Sequence, residues 1–506
     1  MLKAAEIFQS GMILQREKPV RVWGSADPGM ELSVSIQGKQ RNVSADEYGK
    51  WLVELPPLNA SDDETLIITA GKEILTFHNV AVGEVWIGAG QSNMEFWLRY
   101  EQHCTEEKKR PSNHRIRFYD VPKIAYDGQK QQFDYSRVGK WRTATSEDIE
   151  YFSAVCYFFE KVLEAELLVP VGVIGCDWGG TTSCVWMSSQ SAERTGKPWV
   201  EDRRAKFAAI DMDDYWKNTG RNPANNTGNP FEFAFNEFML PRTPSEEEIK
   251  TFFSHIDPAE AEFMGLPQPQ TIPGCLYEHM VKEAAPFTVR GVLWYQGESD
   301  EELGRQELYR DMLTALISDW RKLWQEEKLP FLIVQLPGFE SWFGCVDRGF
   351  PILRQCQQEV VDADQDLYLC SISDAGEQFD IHPKNKKVVG ERLALLALGH
   401  IYGKNDLCDA PRLSDVERNG AKITLTFANT DGSLVVRGDT IHALTLTVLD
   451  KQEEITPDVS IVGNQLILAL SEQYGQVQIN FAKTPWYQVN LYNQAGIPAI
   501  PFSVIC

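Results

Sequence analysis

The sequence predicts an α/β protein whose central doubly wound parallel sheet is flanked by an N-terminal β-sandwich and a C-terminal β-rich module. Three observations lead there. Between about residues 81 and 402, apolar strand-like runs alternate with amphipathic helical ones, such as Tyr309 to Trp324 between the runs at 289–295 and 331–336, the rhythm of a parallel sheet with crossover helices. Before and after that stretch the period is two, the mark of half-buried strands. The length of 506 residues exceeds what one ordinary core accommodates.

Residues 1–80 contain Val20-Arg21-Val22-Trp23-Gly24, Glu31 to Ile36, Trp51 to Leu55 and Leu66 to Thr69, broken at Asp27-Pro28-Gly29 and Tyr48-Gly49. Short alternating runs at such spacing read as a small sandwich. Residues 81–402 are read as the α/β domain. Within it, residues from about 190 to 274 interrupt the rhythm with an irregular stretch rich in aromatics, asparagine and proline, including Tyr215-Trp216, Asn225-Asn226, Phe231, Phe233 and Phe235. Long insertions of this kind usually shape a binding cleft. From 403 to 506 alternation returns, as in Lys422 to Phe427 and Leu444 to Val448.

With 43% hydrophobic and 24% charged residues the composition is globular. A net charge of −23 disfavours nucleic acid and anionic membrane as partners, since both need a basic face. No run approaches the roughly 20 apolar residues that span a bilayer, and Met1 to Gln9 lacks the pattern of a secretory signal. The ten cysteines show no paired Cys-x-x-Cys spacing, which reads as reduced thiols and predicts neither a disulfide lattice nor a metal site. A cytoplasmic protein without cofactor is the expectation; the oligomeric state is not legible.

Gly83 to Leu98 runs from an apolar strand through Gly90 into Ser92 and then a helical pattern. A serine on such a corner is exposed at the sheet's carboxyl edge, beside backbone N–H groups that stabilise anions, so Ser92 is the candidate nucleophile; the competing reading is a helix cap. A serine needs a base. Among eight histidines, His382 alone stands between a strand and a helix late in the α/β part, with Asp380 beside it. Two further strand ends carry site-like elements. The run Pro170 to Thr182 reads as a buried strand ending in a double glycine, Gly179-Gly180, that lets amides approach a ligand. Val289 to Tyr295 ends in Gln296-Gly297-Glu298-Ser299-Asp300. Parallel sheets bind ligands at such ends.

The ordered motifs Gly90-Gln91-Ser92-Asn93-Met94, Trp178-Gly179-Gly180-Thr181, Trp294-Tyr295-Gln296-Gly297-Glu298-Ser299 and Asp380-Ile381-His382-Pro383 resemble the sialate O-acetylesterase family of SGNH-type carbohydrate esterases. The likeness extends to Gly11 to Arg16, Val22-Trp23-Gly24, Cys275-Leu276-Tyr277, Pro286-Phe287, Asn490 to Asn493 and Pro498 to Phe502. It implies an SGNH-like sheet and a serine esterase that removes O-acetyl groups from mono- or oligosaccharides, without metal. His382 would take the Ser92 proton, and the backbone N–H of Ser92, one from Gly179 or Gly180, and the Gln296 amide would form the oxyanion hole. Asn93, Trp294 and Glu298 are expected to touch substrate. The family's Asp-x-x-His is altered here, because position 379 is phenylalanine. Asp380 is the expected orienter of His382, with Asp374 and a backbone carbonyl as rivals. A non-catalytic carbohydrate-binding protein and a peptidase are the other readings, and the sugar is open between sialate and plant-type oligosaccharides.

Overall fold

A computed structural model describes residues 1–133, 135–136, 138–222, 234–347, 349–404 and 407–506. Asn225, Asn226, Phe231 and Phe233 lie outside them. The described chain is a mixed α/β protein in two compact units, Met1–Gln296 with Asp311–Phe331, and Gly297–Arg310 with Leu332–Cys506.

In the first unit one 18-residue strand, Glu73–Gly90, organises everything else. Its first part pairs antiparallel with Ser61–Ala70 and is largely exposed, whereas every residue from Val80 to Gly90 is buried. That second part is flanked in parallel by Val171–Asp177 and Gly291–Tyr295. Asn113–Asp120 follows in parallel beyond Val171–Asp177, and Trp141–Ala144 adds an antiparallel edge. The largely apolar composition of the three central strands, Val80 to Gly90, Val171–Asp177 and Gly291–Tyr295, is what two-sided burial requires.

Gly291 lies opposite Trp86 and Trp294 opposite Ala89, so the two tryptophans, three register positions apart, point to opposite faces. Trp86 meets Phe159 of the helix Ala154–Leu167 edge-on at 5.2 Å. Trp294 meets Trp320 of the helix Tyr309–Trp324 at 6.0 Å. Helices therefore cover both faces.

The N-terminal strands form two sheets, one of Lys3–Ala4, Val20–Ser25 and Lys50–Leu55, the other of Glu31–Ile36, Lys39–Ser44 and Ser61–Ala70 continuing into Glu73–Gly90. No break falls at residue 80, because the same strand serves the sandwich and the parallel sheet. Glu84, fully buried on it, accepts from Arg290 at 2.7 and 3.0 Å, Arg16 at 2.7 Å and Gln15 at 3.0 Å. Burial pushes its pKa up, but these hydrogen bonds outweigh that and hold it below the ordinary value.

Two local expectations are corrected. The pattern after Ser92 is one helical turn, Ser92–Glu95, ended by extended backbone at Phe96. The stretch from 190 to 274 is, in its described residues, mostly short helices, among them Lys197–Ala208, Met212–Asn218 and Glu246–Ser254. Caps start two of them: Asp211 accepts from Asp213 and Asp214 N–H, and Ser245 with Glu248 forms a reciprocal capping box.

In the second unit Leu367–Cys370 neighbours the strand ending at Val334, with helices Phe350–Asp362 and Lys386–His400. Two four-stranded sheets follow, Arg412–Asn419, Lys422–Ala428, Gln465–Ala469 and Asp458–Val462, then Glu453–Ile455, Leu444–Val448, Val477–Phe481 and Phe502–Ile505. They enclose a core that includes Leu425, Phe427, Leu446, Leu466 and Phe481. Among the described residues no helix is long and apolar enough to cross a membrane.

Gly90 has φ of +142°, and a Cβ there would lie 2.0 Å from the Tyr295 carbonyl oxygen. Gly90→Ala is therefore expected to destabilise the protein by more than about 3 kcal/mol, a strained backbone adding to a clash with main chain, as read from the denaturant midpoint.

Candidate active site

Ser92 follows the end of Glu73–Gly90, and from Val80 to Leu98 it is the one residue that is not buried. The N-cap of its helical turn is Gln91, which makes no side-chain cap. Gln91, not Ser92, therefore occupies the N-cap position of this turn.

The loop after Val171–Asp177 lies against it. A Cβ on Gly179 would stand 3.2 Å from Ser92 Cβ, so glycine lets this backbone approach the serine. Trp178 N–H donates to the Gly90 carbonyl at 3.1 Å, and Thr181 Oγ1 donates to the Trp178 carbonyl at 2.7 Å, fixing the loop on the strand end. Gly179 N–H donates to Glu95 Oε2 at 2.7 Å, so of the two expected oxyanion donors this one is already engaged. Gly180, at φ +70°, has open space where a Cβ would project.

Glu95, which sequence reasoning passed over, also pairs with Lys123. Its one signal was Ser-x-x-Glu, normally a capping box; here the glutamate reaches across to the neighbouring strand's loop instead. Asp120 and Asp177 are half-buried close by. Desolvation lifts Asp120 to about 6 and Asp177 well above the carboxylate range, partly offset by Lys123.

Gln296 was expected to donate to an oxyanion. Its Nε2 instead donates to Gln91 Oε1 at 3.2 Å and to the Thr181 carbonyl at 3.1 Å, which occupies both of its N–H groups. It ties together the two loops that follow the adjacent strands. Trp294, expected to touch substrate, is wholly buried between Trp186 and Trp320; strand alternation turns it into the helix layer. Asn93 is also buried.

In the second unit, His382 lies in the loop before Lys386–His400, 5% exposed, with the Trp342 ring edge-on at 4.9 Å. Asp380 Oδ1 accepts the backbone N–H of His382 at 2.8 Å and lies 3.9 Å from its Nδ1, too far for a hydrogen bond to the ring. Its other oxygen pairs with Lys384 Nζ at 2.9 Å. Asp380 thus fixes the histidine's backbone rather than directly gripping its imidazole. The rival Asp374 is engaged by Arg392 at 2.7 and 2.9 Å. Burial first, then the charges of Lys386 and Lys384, hold the His382 pKa well below its ordinary 6.5. Lys386 itself is pushed down to about 7 by burial and Lys384, opposed by Glu298, Asp380 and Glu377. Glu298, expected on the substrate, is a buried carboxylate whose charge favours the Lys386 ammonium.

Gln296→Leu leaves the Thr181 carbonyl and Gln91 Oε1 without their donor, a loss of about 1–3 kcal/mol per buried group. The thermal midpoint is expected to fall, and ester hydrolysis to fall with it because the loop beside Ser92 loosens.

Residues 267–394 match the family model described as SASA, carbohydrate esterase, sialic acid-specific acetylesterase. That span includes Gln296, Glu298 and His382 but not Ser92. The chain is 25% identical to the sialate O-acetylesterase of Mus musculus over 544 residues, covering 98% of this chain and 93% of the relative. The Homo sapiens sialate O-acetylesterase is likewise 25% identical, over 98% of this chain and 91% of that protein. The crystal structure of a carbohydrate acetylesterase from Xanthomonas citri superposes with a TM-score of 0.76 at 27% identity, over 99% of both chains. The resemblance carried by the motifs is thus met by findings along almost the whole length: residues 267–394 match the SASA carbohydrate-esterase model, and the chain, similar to the sialate O-acetylesterases, is a carboxylic ester hydrolase.

Proposed function

We propose that this protein removes O-acetyl groups from sugars by serine acyl transfer on an SGNH-like scaffold. The observation that carries the reading is Ser92, the single partly exposed side chain in a buried run, beside a glycine loop at the carboxyl end of a parallel strand. In this mechanism Ser92 Oγ attacks the acetyl carbonyl while His382 accepts its proton. The imidazolium then protonates the departing sugar hydroxyl, and the neutral ring activates the water that releases acetate.

The backbone N–H groups of Ser92 and Gly180 are the oxyanion donors in this proposal, each contributing on the order of 3 kcal/mol to barrier reduction. Gly179 and Gln296 have their N–H groups engaged elsewhere, so they position the donors. A base must be unprotonated to act, and the lowered pKa of His382 keeps it neutral across the working range. The substrate class is an acetylated mono- or oligosaccharide. The protein's net charge of −23 gives anionic sialates no long-range attraction, so neutral acetylated xylo- or manno-oligosaccharides belong in the substrate set beside them.

Ser92→Ala and His382→Ala are each expected to lower acetate release from acetyl esters by at least about 1,000-fold, in line with losses on removing members of such triads, with unchanged thermal midpoints for the serine variant. Unchanged turnover in either refutes the mechanism. A panel of acetylated sialic acids, xylo-oligosaccharides and manno-oligosaccharides identifies the sugar.

The pH dependence follows in sign. Because the folded pKa of His382 is lowered, the acid limb of kcat/KM is expected below pH 6.5. The folded state is favoured in full above that value and loses this contribution as pH falls toward the lowered pKa. Lys386→Met removes one cause of the depression, so the acid limb is expected to move to higher pH.

A further inference from the structure

The helix Lys386–His400 ends in a histidine that meets the segment leading into the C-terminal sheets. His400 Nε2 and Asp409 Oδ1 are 2.9 Å apart, and Cys408 Sγ lies 4.0 Å from Asp409 Oδ2. One ligand atom from each of the three residues lies within 4.8 Å of the other two.

We propose that His400, Cys408 and Asp409 form a binding site for a zinc-like divalent cation. Imidazole, thiolate and carboxylate together suit a borderline metal, whereas magnesium and calcium select oxygen alone. The spacing is close to what such an ion needs. Bonds of about 2.3 Å to sulfur and about 2.0–2.1 Å to nitrogen and oxygen, arranged tetrahedrally, place the donors about 3.3–3.5 Å apart. His400 Nε2 stands 2.9 Å from one Asp409 oxygen and Cys408 Sγ 4.0 Å from the other, and with one ligand atom of each residue within 4.8 Å of the other two, side-chain shifts of up to about 1.5 Å bring the three donors to those values.

The surroundings hold the donors. The Tyr368 ring stacks on the His400 imidazole at 4.1 Å. Asn493 Nδ2 donates to the Asp409 carbonyl at 2.9 Å, and Asn429 Nδ2 donates to the neighbouring Ala410 carbonyl at 3.1 Å. Both asparagines belong to the C-terminal part of the chain, so the segment carrying the two donors is fixed from behind. Cys408 is buried while His400 is exposed and Asp409 partly so, which leaves an ion a path from solvent to the sulfur. Three protein ligands leave the fourth position for water. The site lies apart in sequence from Ser92 and from the His382 loop, and it ties a helix end to the segment at 408–411 that leads into the strand Arg412–Asn419.

The test is titration of the full-length protein with zinc chloride by calorimetry, beside cobalt(II) absorption spectroscopy. One equivalent bound, a thiolate-to-cobalt charge-transfer band, and at least tenfold weaker uptake in Cys408→Ser and His400→Asn are the expected results, with ester hydrolysis unchanged in both variants. No saturable uptake by the unsubstituted protein, absence of the sulfur band, or equal uptake by the variants overturns the site. Because the cobalt band reports sulfur ligation in the unsubstituted protein, the outcome stands even where a variant folds poorly.

Discussion

The hydrogen-bonded pairing of one strand, Glu73–Gly90, is the constraint on which the first unit rests. It closes the N-terminal hairpin with Ser61–Ala70, takes Ile13–Gln15 alongside, and then receives Val171–Asp177 and Gly291–Tyr295 on its two edges. A strand paired on both edges and covered on both faces tolerates no polar side chain without a partner. The one charge it buries, Glu84, is accordingly surrounded by two arginines and a glutamine. Where the pairing stops, at Gly90, the chain turns sharply and presents Ser92. The reactivity proposed for that hydroxyl is a consequence of where the sheet runs out.

The neighbourhood of Ser92 is held by side chains that bind main chain. Glu95 takes the Gly179 N–H, Gln296 holds the Thr181 carbonyl and Gln91, and Thr181 holds Trp178. Each such bond fixes a loop relative to its neighbour at a cost of buried polar groups, a cost that structural roles alone rarely repay. In the second unit the same economy governs His382. Asp380 fixes its backbone, Trp342 packs its ring, and burial together with the charges of Lys386 and Lys384 lowers its pKa.

Much of this was legible in the sequence, and the exceptions share a cause. Strand and helix positions followed local periodicity: the helix expected at Tyr309 to Trp324 is found there, as are strands at Glu31–Ile36 and Val171–Asp177. The corner at Ser92 and the loop at His382 were visible because a change of period is a local signal. Direction was not visible. Trp294 faces the helix layer and Gln296 faces two loops because distant partners decide both orientations, Gln91 lying 205 positions from Gln296, while Asp380 turns to the backbone of His382 two residues on. The stretch from 190 to 274 misled for a different reason. Its helices are short; two of them are started by the Asp211 and Ser245 caps, and apolar periodicity, the usual signal, is faint in Lys197–Ala208.

The uninterrupted course of Glu73–Gly90 has a consequence for how this molecule can be divided. An N-terminal sandwich joined by a linker would be a detachable accessory, free to be trimmed or exchanged between relatives. Here the last strand of the sandwich and the middle strand of the parallel sheet are one piece of backbone. Excision at residue 80 would strip Ile13–Gln15 and the two partners of Glu84 at positions 15 and 16, exposing a raw edge in the middle of the scaffold. The accessory has become part of the chassis.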